Sequence, residues 1–571
     1  MSAEFASYPF TAKRYGAAMP RLAHGVDAKR RPVVVVGGGP VGMVAALGLA
    51  NHGIPVVLIE ADDSVCFGSR AICISRRSLE IMERIGAIEG FNRIGLPWTG
   101  GRSFYRDVEV LKFSMPQDEN QKHAPMVNLA QYHIEQILLD QVETRSDLIE
   151  VRWQTKVTAI ERDDQGARLT LTTPDGSYQL DADWVVAADG GRSFIRESMG
   201  LALKGTSYEG RYVIVDILLE SARPAERLAY FDPACNRGST VLVHKQPDNV
   251  WRIDYQLQDG EDPEEAVKPE NVMPRVESLL AMMGETSAWK PIWITVYKAN
   301  ALTLEEYRHG RVLFAGDAAH LVPIFGVRGA NSGIDDADNL AWKLAYVIKG
   351  VASDALLDSY SSERVAAAHE NLSYGTKSTE FMAPPSFAFD LMRKAVLSLA
   401  AKHEGVRSLI NPRQTSAIAY TTSPLNAALA HSAAFDAGPA PGCVLQECPL
   451  TIVTNGNASL GYLSDLLSST FVLLLFSDDG TVNNEFMMLQ ESLSCFDIPL
   501  RVEAIASRSR AHQHARVTID HTCRLFPMYG AEDGTAYLVR PDGHVLARWK
   551  QAHPEEVSEA ILRVINLASI Q

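Results

Sequence analysis

Three glycines, Gly37, Gly39 and Gly42, stand in the spacing G-x-G-x-x-G, with Pro40 inside the same turn, and an acid, Glu60, follows 23 positions after the first glycine. Glycines so spaced allow a tight turn and let backbone N–H groups approach a pyrophosphate at the start of a helix. Glu60, closing the next strand, is placed to accept hydrogen bonds from an adenosine ribose. That is the chemistry of holding a dinucleotide. A second set of residues has the chemistry of proton transfer. On a strand through residues 251–257, alternation sends Arg252 and Asp254 to one face and Trp251, Ile253 and Tyr255 to the other. Tyr230, His244 and Tyr297 lie in or near the same sheet, and Cys73 lies earlier in the chain. Such groups remove a proton or fix an anion, although each taken alone also has an ordinary structural reading.

The glycine turn works only between a buried strand and a helix. Residues 33–36 are four valines, residues 43–52 an Ala- and Leu-rich helix ended by Gly53, and residues 56–59 the returning strand, so 32–60 spell one βαβ unit. Ser75 caps a helix with Leu79, Met82 and Ile85 at three-residue spacing. Residues 151–188 alternate as strands around Pro174-Asp175-Gly176 and end in an apolar strand at 184–188. Strand signals at 212–219, 240–244, 251–257 and 292–297 predict an antiparallel sheet inserted into the first domain. Residues 311–315 are a further buried strand, and 331–349 a helix with Ile334, Ala337, Leu340, Ala341, Leu344, Val347 and Ile348 on one stripe. Residues 355–430 read as helical and irregular. After the linker 437–442 comes a separate α/β unit, with a strand at 471–476, a helix near 484–495, a hairpin at 537–540 and 544–549, and a last helix over 554–567.

Composition removes several function classes. The chain carries 54 basic and 69 acidic side chains, a net charge of −15, which excludes a nucleic-acid clamp built on a basic surface. Hydrophobic residues at 46% and charged residues at 22% allow large cores and exclude wholesale disorder. At about 150 residues per domain, 571 residues predict three or four domains, or two large ones with a smaller third. The cysteines at 66, 73, 235, 443, 448, 495 and 523 lack the paired spacing of a zinc site or a disulfide framework, so no metal is expected and a reducing, cytoplasmic setting is. The uncharged run 33–50 resembles a membrane span only in length, because Gly37, Gly38, Gly39, Pro40 and Gly42 would break it. Residues 1–31 read as an exposed arm.

Two more segments follow apolar strands: Asp189-Gly190-Gly191-Arg192-Ser193-Phe194-Ile195-Arg196, and residues 310–320 with Gly316-Asp317-Ala318-Ala319-His320, then Pro323 and Gly326. With the N-terminal turn they make three dispersed motifs in one order. The set resembles the flavin motifs of the class A FAD-dependent aromatic hydroxylases, over residues 32–350 and more loosely beyond. Within that family it is most similar to the phenol-hydroxylating branch that includes 3-(3-hydroxyphenyl)propionate and 2-hydroxybiphenyl hydroxylases. The resemblance implies an α/β fold: a Rossmann-like FAD-binding domain (32–205 and 301–355), an inserted antiparallel β-sheet domain for substrate (206–300), a helical segment (356–435) and a C-terminal thioredoxin-like α/β domain (436–571). It implies bound FAD, visiting NADH or NADPH, O₂, and a phenolic substrate hydroxylated beside an existing hydroxyl through a C4a-hydroperoxyflavin. Rival readings are a flavin monooxygenase tailoring a polycyclic metabolite, and a flavoprotein whose FAD is structural.

Residue by residue, the resemblance implies that Asp317 accepts hydrogen bonds from ribityl hydroxyls, unless it is a plain helix cap. Backbone N–H groups of Gly329, Ala330 and Asn331 would meet the pyrimidine end of the flavin ring, where a helix N-terminus favours negative charge. Asp335, Asp336 and Asp338 fit the same dipole, unless they are structural. Arg70, in Ser69-Arg70-Ala71, matches an FAD-contacting arginine, and Gln131 a residue near the ADP part. Gly326-Val327-Arg328-Gly329 departs from the family's usual G-Q-G, so Arg328 either rides above the flavin to attract an anion or points into solvent. The face bearing Arg252 is expected to look toward flavin and substrate, with Arg252 the leading candidate. No second strand–GxGxxG–helix unit follows residue 60, so the nicotinamide has no Rossmann site of its own. The C-terminal unit has Ser477-Asp478-Asp479-Gly480 where a redox thioredoxin carries Cys-x-x-Cys, leaving packing, dimer formation or shielding as its roles.

Overall fold

A computed structural model gives the architecture; it describes residues 5–68, 71–258, 260–410, 414–426, 434–507 and 516–566. The valine run forms Arg31–Val36, which lies between Gly176–Ala187 and Val56–Ile59, all parallel, with Val33 opposite both Trp184 and Val56. Val33, Val34 and Val35 are wholly buried. A strand covered on both faces needs an unbroken apolar run rather than an alternating one. Ile149–Arg152 and Val312–Phe314 extend the parallel sheet on its two sides. The helices Pro40–Asn51 and Gly329–Ile348 pack side by side on it. A Cβ added to Gly333 would lie 2.6 Å from Val41, and one added to Gly48 would lie 2.7 Å from Ala341. Both contacts advance along both helices in the same sense, so the helices are parallel and their N-termini open on one edge of the sheet.

The second sheet has eight strands, in the order His320–Leu321, Trp289–Thr303, Lys204–Leu219, Val250–Gln256, Thr240–Lys245, Arg227–Phe231, Gly100–Tyr105 and Val108–Ser114. The pair at 100–114 comes from far upstream, with Arg227–Phe231 running parallel to Gly100–Tyr105. One face is apolar: Val213, Val215, Ile217, Val241, Trp251 and Ile253 pack on Val272, Val276 and Leu279 of the helix Pro269–Met283. Burying that face leaves the other, which carries Arg252 and Asp254, turned toward the first domain.

In the seven-stranded C-terminal sheet, Phe471–Ser477 lies between Leu500–Ala506, to which it is parallel, and Ala536–Val539, to which it is antiparallel. Phe471, Leu473 and Leu475 face one core with the helices Asn484–Ser494 and Pro554–Ile565, while Val472, Leu474 and Phe476 face another with Leu525 and Tyr529. Cys495 and Cys523 are exposed and in no disulfide. Serine at both positions should leave the melting temperature and the flavin content of the purified protein unchanged; a drop in either would show that a thiol has a role here. Among the described residues no helix is long and apolar enough to cross a membrane, and no cluster of His, Cys, Asp and Glu is arranged to hold a metal.

One expectation is corrected. The described part of residues 1–31 is anchored to the first domain, although more than half of its residues are exposed. Tyr15 stacks on Trp153 at 4.5 Å and Phe10 on Tyr132 at 4.9 Å, and the hairpin of Leu22–Ala23 with Val26–Asp27 joins the main sheet. Buried Asp27 pairs with Arg152 at 2.6 Å. Scattered aromatic rings do the docking, so no apolar run announces it.

Candidate functional site

The turn after Arg31–Val36 needs its glycines for different reasons. Gly37 has φ +107°, donates its N–H to the Ile59 carbonyl at 2.8 Å, and would bring a Cβ within 2.3 Å of the Ala188 oxygen. A Cβ on Gly42 would lie 1.9 Å from the Gly37 oxygen. Gly39 differs: nothing lies within 4 Å of where its Cβ would be. Gly39 is also the N-cap of Pro40–Asn51, which has Pro40 in its first turn, no capping side chain and no acid there. The positive end of the helix therefore faces open space over Gly39. Glu60 accepts the N–H groups of Gly38 (2.6 Å) and Asp62 (2.9 Å), and burial pushes its carboxyl up from the usual range. It braces the turn from within, and each oxygen keeps a lone pair for a sugar hydroxyl.

On the neighbouring strand ends, Asp189 accepts the Ile195 N–H at 3.1 Å through one oxygen, while the other is buried with no partner. Arg196 ties this loop to the next turn by donating to the Ala318 carbonyl at 3.0 Å. Gly316 has φ +62°, and a Cβ on it would meet Val41 at 2.9 Å, so Val41 is seated between Gly316 and Gly333. The Gly316 N–H donates to Asp336 at 3.0 Å. Asp317 is exposed inside the 3₁₀ turn Gly316–Ala318, whose N-cap is Ala315.

The helix Gly329–Ile348 also starts without a capping side chain or an acid in its first turn, and the nearest atom to a Cβ on Gly329 is 4.0 Å away. Asn331 has its side-chain amide fully engaged: it accepts from the Ser75 N–H and the Ser78 hydroxyl and donates to the carbonyls of Cys73 and Val327. Its side chain is thus committed to the protein, and a ligand at this helix start would meet backbone N–H groups instead. Pro323 is buried, packed where a Cβ on Gly375 would lie 3.2 Å from its ring. Gln131 accepts the Ala71 N–H at 3.2 Å and donates to Glu135, which in turn holds the Cys66 N–H; the pair pins both ends of the loop containing Arg70, itself outside the described residues. Arg328 departs from both of its readings, and the three acids follow their structural one. Arg328 is buried, donating to Asn371 at 2.9 Å and to the Gln414 carbonyl, with its guanidinium over Tyr374, so it reaches neither above the turn nor into solvent. Asp335, Asp336 and Asp338 serve arginines and a histidine rather than the helix dipole: Asp335 and Asp338 bind Arg77, and Asp336 binds Arg364 and His320, both at 2.6 Å.

Strand register decides which sheet residues share a face. Arg227, His244, Arg252 and Asp216 are directly opposite one another on four adjacent strands, and Asp254 lies two residues along from Arg252 on the same side. This face closes against Cys73 and the segment 325–327, where Tyr212 meets Phe325 edge-on at 5.2 Å. Arg252 is buried in a bidentate pair with Asp216, at 2.8 and 3.0 Å, and the Tyr8 hydroxyl donates to the same carboxylate. Burial pushes His244 down to about 3, with Arg227 and Arg252 adding to the effect. Burial pushes Asp254 up to about 7, aided by Asp216 and opposed by Arg252 and Arg227. The Cys73 thiol, which donates to Asn128, is pushed up by burial to about 12. Tyr297 shares the polar face, opposite Tyr212. Tyr230 does not: it lies on the apolar face, stacked on Phe104 at 4.9 Å, and drops out as a partner of Arg252. Arg227 and Asp216 escape sequence reasoning, because each reads as a surface charge until the strand pairing is known.

Comparison with known proteins bears on what fills the open turn. The sequence profile of the FAD binding domain family matches residues 30–374. The chain belongs to that family. It is 32% identical over 363 residues to a 3-(3-hydroxy-phenyl)propionate/3-hydroxycinnamic acid hydroxylase of Klebsiella pneumoniae (strain 342), a match covering 62% of each chain. It is 32% identical over 332 residues to a protein of the same description from Mycolicibacterium smegmatis, covering 58% of each. The match thus spans about three fifths of the length of these curated relatives. The solved structure of the flavin-dependent monooxygenase PieE, in complex with FAD and substrate, superposes with a TM-score of 0.76 at 21% identity, covering 94% of this chain and 99% of that one.

The FAD-binding domain fits its cofactor on its own geometry: open space above Gly39, two uncapped helix N-termini on one sheet edge, and a buried Asp189 oxygen awaiting a donor. Asp317 is exposed beside that edge. Asp317→Ala should weaken FAD binding by about 1–3 kcal/mol, the cost of leaving a polar group without its partner. Fluorescence titration of apoprotein with FAD checks this; parental affinity would remove Asp317 from the site.

Proposed function

We propose that this FAD-binding protein is a monooxygenase that uses NADH or NADPH and O₂ to hydroxylate a phenolic ring beside an existing hydroxyl. The observation that carries the reading is the pairing of a dinucleotide cradle with a buried polar sheet face, Arg227–His244–Arg252–Asp216 with Asp254, closing over the segment that begins the helix Gly329–Ile348. Bound FAD supplies the hydride acceptor and the oxygen-activating centre. The chain supplies the rest. Asp189, Asp317 and the Gly37–Gly42 turn hold the cofactor, and the N–H groups of Gly329, Ala330 and Asn331 favour negative charge at its pyrimidine end. The buried sheet face excludes water and orients the ring. The names of the Klebsiella and Mycolicibacterium relatives support a small phenolic substrate. The order of strands in the C-terminal sheet supports a thioredoxin-like domain kept for packing or assembly.

The test is a screen of simple phenols against polycyclic ones with FAD-loaded enzyme under labelled oxygen gas. Substrate-stimulated oxidation of NADH or NADPH, with label in a hydroxylated product, is expected from the simple phenols. Preference for polycyclic compounds would favour metabolite tailoring, and no stimulation by any phenol would make the FAD structural.

A further inference from the structure

The N-terminal arm touches both the FAD-binding domain and the eight-stranded sheet. Ala6 donates its N–H to the Pro291 carbonyl at 2.8 Å, and the Tyr8 hydroxyl donates to Asp216 at 3.2 Å, so residues 6–8 lie on that sheet. Phe10 packs on Tyr132 and His133 of the helix Gln131–Thr144. The Tyr15 N–H donates to the Asp63 carbonyl at 2.7 Å, and Arg14 pairs with the Asp63 carboxylate, so residues 10–15 lie on the FAD-binding domain. The arm thus straddles residues 61–68, the loop that leaves Glu60. At the tip of this loop Phe67 is 82% exposed, and its ring meets Tyr8 edge-on at 5.4 Å. Gly68, next in the chain, lies on Trp293, where a Cβ would be 2.9 Å from the ring. Trp293 is directly opposite Asp216 on the neighbouring strand. Three distant parts of the chain therefore converge on one side chain. The Tyr8 ring touches the loop tip, and its hydroxyl touches the carboxylate that holds Arg252. Burial and the Asp216 charge push that hydroxyl well above its ordinary range, so it stays a donor. The match to the FAD binding domain family begins at residue 30, so these contacts come from outside it.

We propose, resting on the hydroxylase reading above, that Tyr8 is a positioning residue for the site. Its ring holds the loop 61–68 against the sheet. Its hydroxyl fixes Asp216, and through it Arg252, and closes that end of the polar face to water. Without the hydroxyl one Asp216 oxygen loses a donor, and water takes the place. Water admitted to a site that must exclude it opens a side reaction. The coupled reaction, Ar–H + NADH + H⁺ + O₂ → Ar–OH + NAD⁺ + H₂O, then gives way to NADH + H⁺ + O₂ → NAD⁺ + H₂O₂.

Full-length, FAD-loaded variants separate the two contacts. Tyr8→Phe keeps the ring and removes the hydroxyl. It should melt like the parent, retain FAD and show unchanged amide hydrogen exchange over residues 61–68. With 3-(3-hydroxyphenyl)propionate as the probe phenol, the share of NADH or NADPH that ends as hydrogen peroxide should rise about threefold or more, the scale of one lost hydrogen bond. Tyr8→Ala removes both contacts and should also speed exchange of the loop amides several-fold. Phe67→Ala breaks the ring contact from the exposed side, where the fold tolerates the loss, and should speed the same exchange with Tyr8 in place. A parental peroxide share in Tyr8→Phe would overturn the proposal, whatever happens to the melting temperature. So would parental loop exchange in both Tyr8→Ala and Phe67→Ala. Exchange is read without substrate, which keeps the two readings apart. If the parent hydroxylates no phenol, the hydroxylase reading falls and exchange alone decides whether Tyr8 holds the loop. Fully coupled hydroxylation by every variant sinks the role of Tyr8 and leaves the hydroxylase reading standing.

Discussion

A Gly39→Leu variant should purify folded and colourless. Its Cβ meets nothing within 4 Å, so the protein itself tolerates the side chain. The leucine instead fills the space above the N-terminus of Pro40–Asn51, where the pyrophosphate must lie to meet the free N–H groups and the helix dipole. Excluding it should lower FAD affinity by about a thousandfold, ~4 kcal/mol. Gly42→Ala makes the contrast. Its Cβ would stand 1.9 Å from the Gly37 oxygen, so the turn cannot form and the fold itself should suffer. Circular dichroism and flavin absorbance, measured on both variants, separate the two outcomes. Gly39→Leu retaining FAD at the parental ratio would place the cofactor elsewhere.

The contrast between the two glycines marks what a linear sequence can reveal. The G-x-G-x-x-G spacing, the four valines and Glu60 identify the cradle because each constraint acts within one βαβ unit of chain. The strand at 251–257 shows its two faces by alternation, and Arg252 and Asp254 do share one side of the folded sheet. Features that depend on pairing across distance stay hidden. Arg252 meets Asp216, 36 residues upstream, and Arg227 joins them only through three strand registers. Tyr230 falls on the opposite face for the same reason. Its parity is set by Arg227–Phe231 pairing with Thr240–Lys245 and Gly100–Tyr105, the latter from a segment with no clear signal. Arg328 gives no warning of its burial because its partners, Asn371 and Tyr374, lie on a helix whose sequence shows no stripe.

An Arg540→Met variant should be the most damaging single change away from the cofactor. The hairpin of the C-terminal unit drives Arg540 and Asp542 against the first domain, where both are essentially inaccessible. Arg540 donates to both oxygens of Glu363, at 2.7 and 3.0 Å, and to Asp542, while Lys343 binds Glu363 at 2.7 Å and Trp342 donates to Asp542 at 3.1 Å. Removing the arginine leaves two buried carboxylates with one lysine nearby, and breaking a buried pair in this way costs about 3–5 kcal/mol. In spite of burial, both carboxyls are held far below the usual range, chiefly by the Arg540 charge. Their contribution is therefore present above the unfolded carboxylate pKa and is lost only as pH falls through the depressed folded values, so mild acid should leave the parental junction closed. The damage should also reach the flavin. Glu363 is followed on its helix by Arg364, which binds Asp336 at 2.6 Å and the Ser332 carbonyl, and Asp336 holds the Gly316 N–H beside Asp317. Adding Asp542→Asn to Arg540→Met removes the carboxylate left without its arginine, while Glu363 keeps Lys343, and should restore part of the lost stability, whereas two independent lesions would simply add. Thermal unfolding followed by flavin fluorescence reads both effects at once, and an Arg540→Met protein that melts and releases FAD like the parent would show that the two units are held together by something other than this buried network.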